Sequence, residues 1–304
     1  MQDSGYQKYS PHIALFAVQV MFGSSAVLGK LALQGFPSNA IVGFRVGGAT
    51  LAFCLLQILS RRGFFLDKFS HYLHFAFFSI VGVIFNQLLF FKGLSLTTAT
   101  NTSLLAVMIP VFTIIISALI GNDKLTSRKI IGVVLAAGGV IYLIDPSKAS
   151  FSSDTTVGNI LIILNSLCYG IYIAFSKKLV SHYGALKSIA WVFLIASVAN
   201  VPIGIYSLQT VTLNEVTSIS WLALAGVVIF PTILAYYWNA WALARVEPSI
   251  VAIYTYLQPL IGFIFAVFFL NEIFTSRLIL SAILIFIGVF LVTRMRKREI
   301  ISKI

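Results

Sequence analysis

Residues 110–140 read PVFTIIISALIGNDKLTSRKIIGVVLAAGGV, and residues 259–289 read PLIGFIFAVFFLNEIFTSRLILSAILIFIGV. Slid forward by 149 positions without gaps, the first stretch lays Pro110 on Pro259 and Asn122-Asp123 on Asn271-Glu272. Thr126-Ser127-Arg128 falls on Thr275-Ser276-Arg277, and Gly139-Val140 on Gly288-Val289. Nearer the start, a shift of 147 carries Gly23 to Gly170 and Lys30 to Lys177. An Asn-acid-x-x-Thr-Ser-Arg string recurring at a fixed offset is improbable by chance, so the chain repeats itself.

The unit that repeats is hydrophobic. Of 304 residues, 59% are hydrophobic and 10% charged, where a soluble domain carries about 25% charged residues. No soluble fold of this size hides so much apolar surface, so lipid is the solvent for most of it. A membrane-spanning helix needs about 20 mostly apolar residues, and the chain offers ten such runs. The first five are Pro11–Leu33, Ser38–Ser60, His71–Gly93, Ala99–Ile120 and Arg128–Ile144. The second five are Gly158–Lys178, Leu186–Ser207, Ser218–Leu243, Pro248–Leu270 and Arg277–Thr293. The first run is too long for the apolar region of a cleavable signal, about 7–15 residues, and is read as a span. The expected fold is an all-α integral membrane protein of ten spans, as two five-helix repeats over 11–145 and 157–294. Tails cover 1–10 and 295–304. Five is odd, so the second repeat enters the membrane from the opposite side, giving an inverted pair with a binding site near the midplane between the halves.

The net charge of +12 does not signal nucleic acid, because the basic residues sit in short clusters between apolar runs. Lys and Arg so placed set orientation. Ten spans put sixteen of them on the side of the termini and four on the other, with Arg45 inside a span. Both termini are therefore expected in the cytoplasm and the chain in the cell membrane. Cys54 and Cys168 lie within apolar runs and read as free thiols. Neither they nor any other residues stand at metal-ligand spacing, so neither a metal nor a cofactor is expected.

The sequence resembles the EamA family of the drug/metabolite transporter superfamily over nearly its whole length. The resemblance rests on Phe22-Gly23-Ser24-Ser25 with Lys30, on Phe44-Arg45, and on Phe91-x-Gly93-Leu94 leading to Pro110. It rests also on the acidic turn with its Thr-Ser-Arg, and in the second half on Tyr237–Ala244, Pro248-Ser249, Gln258-Pro259 and Asn271-Glu272. It implies a ten-helix carrier for amino acids or related metabolites, working as an exporter or facilitator. The superfamily also moves nucleotide sugars, sugar phosphates and cationic drugs.

Candidate functional residues follow from polarity in the wrong solvent. Pro110 and Pro259 sit mid-span at matching points of the repeat and remove the donors for the carbonyls of Ala106 and Thr255. They read either as packing kinks or as gating bends lining a cavity. Pro231, in the eighth run, has no counterpart. Gln19, Asn86, Gln87, Asn165, Tyr169, Tyr236, Asn239, Tyr256 and Gln258 lie near mid-span, with Phe22, Tyr172, Trp238 and Tyr254 nearby. Polar groups avoid lipid, so these face the bundle interior, either in helix–helix bonds or as the walls of a cavity for a small polar or zwitterionic solute. Arg45 reads as a structural clamp or, alternatively, as the partner of a substrate carboxylate. All nine acids fall at span ends, loops or tails, and the four histidines cluster at the cytoplasmic edge, whereas proton relays in carriers usually rely on carboxylates at mid-membrane. A carrier working by alternating access is expected, as a monomer or homodimer whose partners are a small-molecule substrate and the bilayer. A carrier for a phosphorylated sugar or nucleotide sugar is the alternative within transport. A membrane enzyme is disfavoured, because no nucleophile, base and orienter converge.

Overall fold

The structure, a computed structural model, describes residues 4–61, 63–121, 126–144, 153–243, 254, 257–272 and 275–293. Among these, no strand occurs and ten helices form. In the first half these are α1 (Ser4–Leu33), α2 (Ser38–Leu59), α3 (Phe69–Ser79 continuing through Ile80–Phe85 into Asn86–Leu96), α4 (Ala99–Leu105, then Met108–Leu119) and α5 (Ser127–Ile144). The second half holds α6 (Asp154–Tyr183), α7 (Ala185–Leu208), α8 (Ser218–Val228 through Ile229–Leu234 into Ala235–Leu243), α9 (Leu257–Leu270) and α10 (Ser276–Thr293). Seven of the described helices, α1 to α4 and α6 to α8, are long and apolar enough to cross a bilayer; α9 and part of α10 are shorter apolar helices. The chain is an all-α integral membrane protein.

Local chemistry places the breaks. Pro37, extended at ψ 150°, precedes α2 and cannot continue α1. Thr98 Oγ1 accepts the Asn101 N–H at 3.0 Å to cap α4, and Thr217 Oγ1 accepts the Ser220 N–H at 3.2 Å to cap α8. Gly184, at φ +80°, makes the reversal between α6 and α7, a conformation that glycine adopts at little cost. Two helices outrun their apolar runs: α1 starts at Ser4 and α6 covers Asp154–Tyr183. A helical ladder bonds within itself and continues through polar residues into water, so an apolar run marks the bilayer and not the helix end.

The helices pair in a pattern that reads the same when α1–α5 are exchanged for α6–α10. Helix α1 packs on α8 and α9, and α6 on α3 and α4; α2 packs on α7, and α5 on α10. Glycines set the close approaches that lipid-embedded helices need. A Cβ on Gly43 would stand 2.8 Å from the Gly204 Cα, and one on Gly288 would stand 2.5 Å from the Gly132 carbonyl. Thus Gly43-x-x-x-Gly47 and Gly132-x-x-x-Ala136, small-residue motifs of the sequence, each contribute to packing within the chain. The repeat reaches finer detail: α3 and α8 each contain one wide π-helical segment, Ile80–Phe85 and Ile229–Leu234, offset by the same 149 residues.

Two ends of the bundle can be told apart by their contacts. At one, here the far face, the α1–α2, α3–α4 and α9–α10 turns gather around a pocket lined by Lys30, Gln34, Lys92, Thr98 and Glu272. At the other, the near face, the loop between α2 and α3 is tied to α6 and α7. The Asp67 N–H donates to the Tyr183 hydroxyl at 2.9 Å, His182 Nε2 bonds Asp67 Oδ2 at 2.8 Å, and Trp191 Nε1 donates to the Phe64 carbonyl at 2.8 Å. The bond from His182, ahead of the bond to Tyr183 and the charge of Lys187, holds the Asp67 carboxyl below its ordinary value.

Candidate functional site

A cavity of about 300 Å³ lies where α1, α3, α4, α6, α8 and α9 meet, with Arg45 of α2 in its wall. Ten of the thirteen residues expected to form a substrate cavity line it: Gln19, Phe22, Asn86, Gln87, Asn165, Tyr169, Tyr172, Tyr236, Asn239 and Gln258. Pro110 and Pro259 line it too. From mid-depth it continues along Ser176, Lys177 and Val180 toward the near face, and it shares no lining residue with the far-face pocket.

Two of the expected residues that the structure describes do not line it. Trp238 is 37% exposed and turns outward. Tyr236, Asn239 and Ala240 stand three and four residues apart and share the cavity side of α8; Trp238, two residues from Tyr236, lies about 200° around the helix at 3.6 residues per turn. Tyr254 bonds His12 Nδ1 through its hydroxyl at 3.1 Å, tying α1 to the approach of α9. Tyr256, like the Thr255 carbonyl, lies outside the described residues.

The far side is fastened by polar contacts between the halves. Glu272, from the α9–α10 turn, accepts the N–H groups of Ala99 and Thr100 at 2.8 and 2.9 Å and the Thr100 hydroxyl. Its charge meets the positive end of the α4 dipole. Beside it, Thr97 Oγ1 donates to Asn159 Oδ1 at 2.6 Å and Asn101 Nδ2 to the same oxygen at 3.3 Å.

Some cavity amides are engaged in structure. Asn165 Nδ2 donates to the Asn86 carbonyl at 2.7 Å and Asn86 Nδ2 to the Asn165 carbonyl at 3.3 Å, a reciprocal clasp between α3 and α6. Others are not. Gln19 is 1% exposed and its Oε1 has no partner among the described residues; Gln87 Oε1 also has none, while its Nε2 reaches the Tyr236 hydroxyl at 3.4 Å. Aromatic rings complete the wall: Tyr169 stacks on Tyr172 at 5.8 Å, and Phe22 meets Tyr236 edge-on at 5.9 Å.

Pro110 and Pro231 open the backbone. Around Pro110, α4 breaks between Leu105 and Met108. There the Ala106 carbonyl, deprived of its usual donor, takes the Ile109 N–H at 3.1 Å instead. That shift frees the Leu105 carbonyl, which accepts Ser166 Oγ from α6 at 3.3 Å. Pro231 deprives the Val227 carbonyl, and Thr232 Oγ1 supplies the missing donor at 2.7 Å. The same Thr232 oxygen accepts Arg45 Nε at 2.7 Å, and Arg45 Nη2 reaches the Pro231 carbonyl at 3.5 Å. The guanidinium sits 5.0 Å above the Phe91 ring. Sequence reading missed Thr232, together with Ser25, Thr113 and Ser176 of the wall. The signal for Thr232 was present: Arg45 and Pro231 both lack counterparts in the repeat, and two unmatched mid-span features belong together.

Comparison with known proteins agrees with this architecture. The sequence profile of the EamA-like transporter family matches residues 10–144 and again 156–294. An uncharacterized transporter of Archaeoglobus fulgidus is 28% identical over 93% of the chain and 96% of its own length. The uncharacterized transporter YyaM of Bacillus subtilis is 21% identical over 91% and 92%. A WAT1-related protein of Arabidopsis thaliana is 24% identical over 94% and 85%. One solved crystal structure superposes with a TM-score of 0.66 at 15% identity, covering 93% of this chain and 98% of that one.

Proposed function

Because the chain belongs to the EamA-like transporter family, we propose that it carries a small polar or zwitterionic metabolite, an amino acid or a related compound, across the cell membrane by alternating access. The observation that supports this most is the central cavity. It is of ligand size, lies where matching helices of the two repeats meet, and has unpaired amide oxygens in a largely apolar wall with several aromatic rings. We read the repeats as an inverted pair and the near face, with the termini, as cytoplasmic; on that reading the cavity extends toward the cytoplasm with its outer side fastened by Glu272. The carrier then works as an exporter or facilitator, and the fastening must open once per cycle.

Purified protein reconstituted in vesicles tests this. Amino acids, sugar phosphates and organic cations are offered in turn, reading thermal stabilisation, since a ligand of the native state raises its stability, and flux. Amino acids or close relatives are expected to stabilise and to move. Movement of sugar phosphates alone would replace the substrate class, and no flux of any solute would count against a carrier.

A further inference from the structure

We propose that Arg45 anchors a carboxylate of the transported solute, and that Gln19 and Gln87 receive the solute's ammonium hydrogens. This rests on the carrier reading and assigns the recognition groups of its site.

Arg45 is 4% exposed and lines the cavity. A guanidinium carries five N–H donors. Nε is taken by Thr232 and one Nη2 hydrogen by the Pro231 carbonyl; the Nη1 pair and the second Nη2 hydrogen have no protein acceptor among the described residues. Nor does any carboxylate there lie within ion-pair distance of it. A buried cation is ordinarily paired, and a purely structural arginine would be expected to find an acid or several carbonyls. Here the protein holds one edge of the fork, through a hydroxyl that is itself held by Val227, and keeps the ring of Phe91 beneath it. The planar remainder suits two oxygens of a carboxylate in parallel.

The second half of the argument is opposite in sign. Gln19 and Gln87 line the same cavity, are 1% and 2% exposed, and each holds a buried oxygen with no donor. Unpaired amide ends and an unfilled guanidinium edge in the wall of one cavity describe the two ends of a zwitterion. A phosphate ester would need more than one deep cation; the other basic residue of the wall, Lys177, is exposed.

The test uses reconstituted protein and three analogues of each common amino acid: the carboxamide, the decarboxylated amine and the deaminated acid. Flux of the amino acid is expected to exceed that of its carboxamide and amine at least tenfold, with the deaminated acid between. R45K is expected to raise KM at least tenfold with little change in maximal rate, because it keeps the charge and loses the fork. Q19L is expected to narrow the gap between amino acid and deaminated acid. Should R45K fail to elute as a monodisperse peak, the analogue series on the native protein decides alone. Carboxamide flux equal to that of the amino acid, or R45K with an unchanged KM, overturns the anchor while leaving a carrier. Flux confined to solutes without carboxylates does the same. No flux of any solute overturns both readings.

Discussion

Thr232 joins two problems into one solution. Pro231 leaves a carbonyl without a donor inside a span, and Arg45 brings a charge that needs holding; one hydroxyl answers both. Replacing Thr232 with Val keeps shape and removes both bonds. Loss of a buried hydrogen bond to a charged group costs about 1.5–3 kcal/mol. T232V is therefore expected to lower thermal stability in detergent by that order, and T232S to retain most of it. An unchanged midpoint in T232V would mean that the Arg45 seat lies elsewhere. At the near face, Asp67 is governed by pH. Its carboxyl, held below the ordinary value by His182, contributes stability above that ordinary value and loses the contribution as pH falls through its own lower one. Unfolding midpoints measured from pH 6 downward should decline more steeply for the native chain than for D67N in that acid window. Parallel curves would dissociate the tether from stability.

Between elements, the decisive bond set is Glu272 on the first turn of α4. A carboxylate accepts both N–H groups at once, whereas an amide offers one oxygen and brings a donor that meets other donors. E272Q should weaken the far-face fastening. With Cys54 and Cys168 replaced, a cysteine at Ser25, on the cavity wall, should react faster with a polar thiol reagent applied from the far face when E272Q is present. Equal rates would show that the Thr97–Asn159 contact closes that side by itself. The elements were the part of this protein most legible in the sequence, because lipid demands about 20 apolar residues per crossing and the demand leaves a plain mark. Rotation about each helix axis leaves no such mark. Asn239 and Trp238 are neighbours in the chain with similar claims to a cavity, and only the packed structure separates them. Thr232 was obscured for another reason: a lone hydroxyl in a span satisfies itself on its own helix and raises no alarm.

For the molecule as a whole, the expected energy source follows from where the described acids stand. Among the described acids, Asp67, Asp154, Glu215 and Glu272 all stand at helix ends or connections, and the histidines hold near-face contacts or its edge. A proton-driven cycle needs a group that changes charge along the path. The expected behaviour is exchange or facilitation driven by the solute's own gradient. In vesicles with a pH difference and equal solute on both sides, no net accumulation should occur. Accumulation of a solute without a titratable group, persisting when all four histidines are replaced, would refute it. The duplication also explains why so much of this architecture could be anticipated: each half predicts the other, and two features without counterparts, Arg45 and Pro231, meet in one contact.

The wide segments Ile80–Phe85 and Ile229–Leu234 have one more consequence. A π turn is a helix that has absorbed one surplus residue. Everything beyond it is rotated by about 100°, one residue's share of a 3.6-residue turn. Asn86 and Gln87 follow directly after the first such segment, and Tyr236 just after the second. Their aim into the cavity is thus set first by an insertion in the count, and the contacts they then make hold it. Shortening α3 by a single residue at Val81 would return it to an ordinary helix, still apolar and still long enough to cross. Such a protein should insert and fold into its ten crossings, as protease protection of its loops would reveal, yet move no solute. Transport surviving the deletion would mean that the surplus residue is mere slack in the chain.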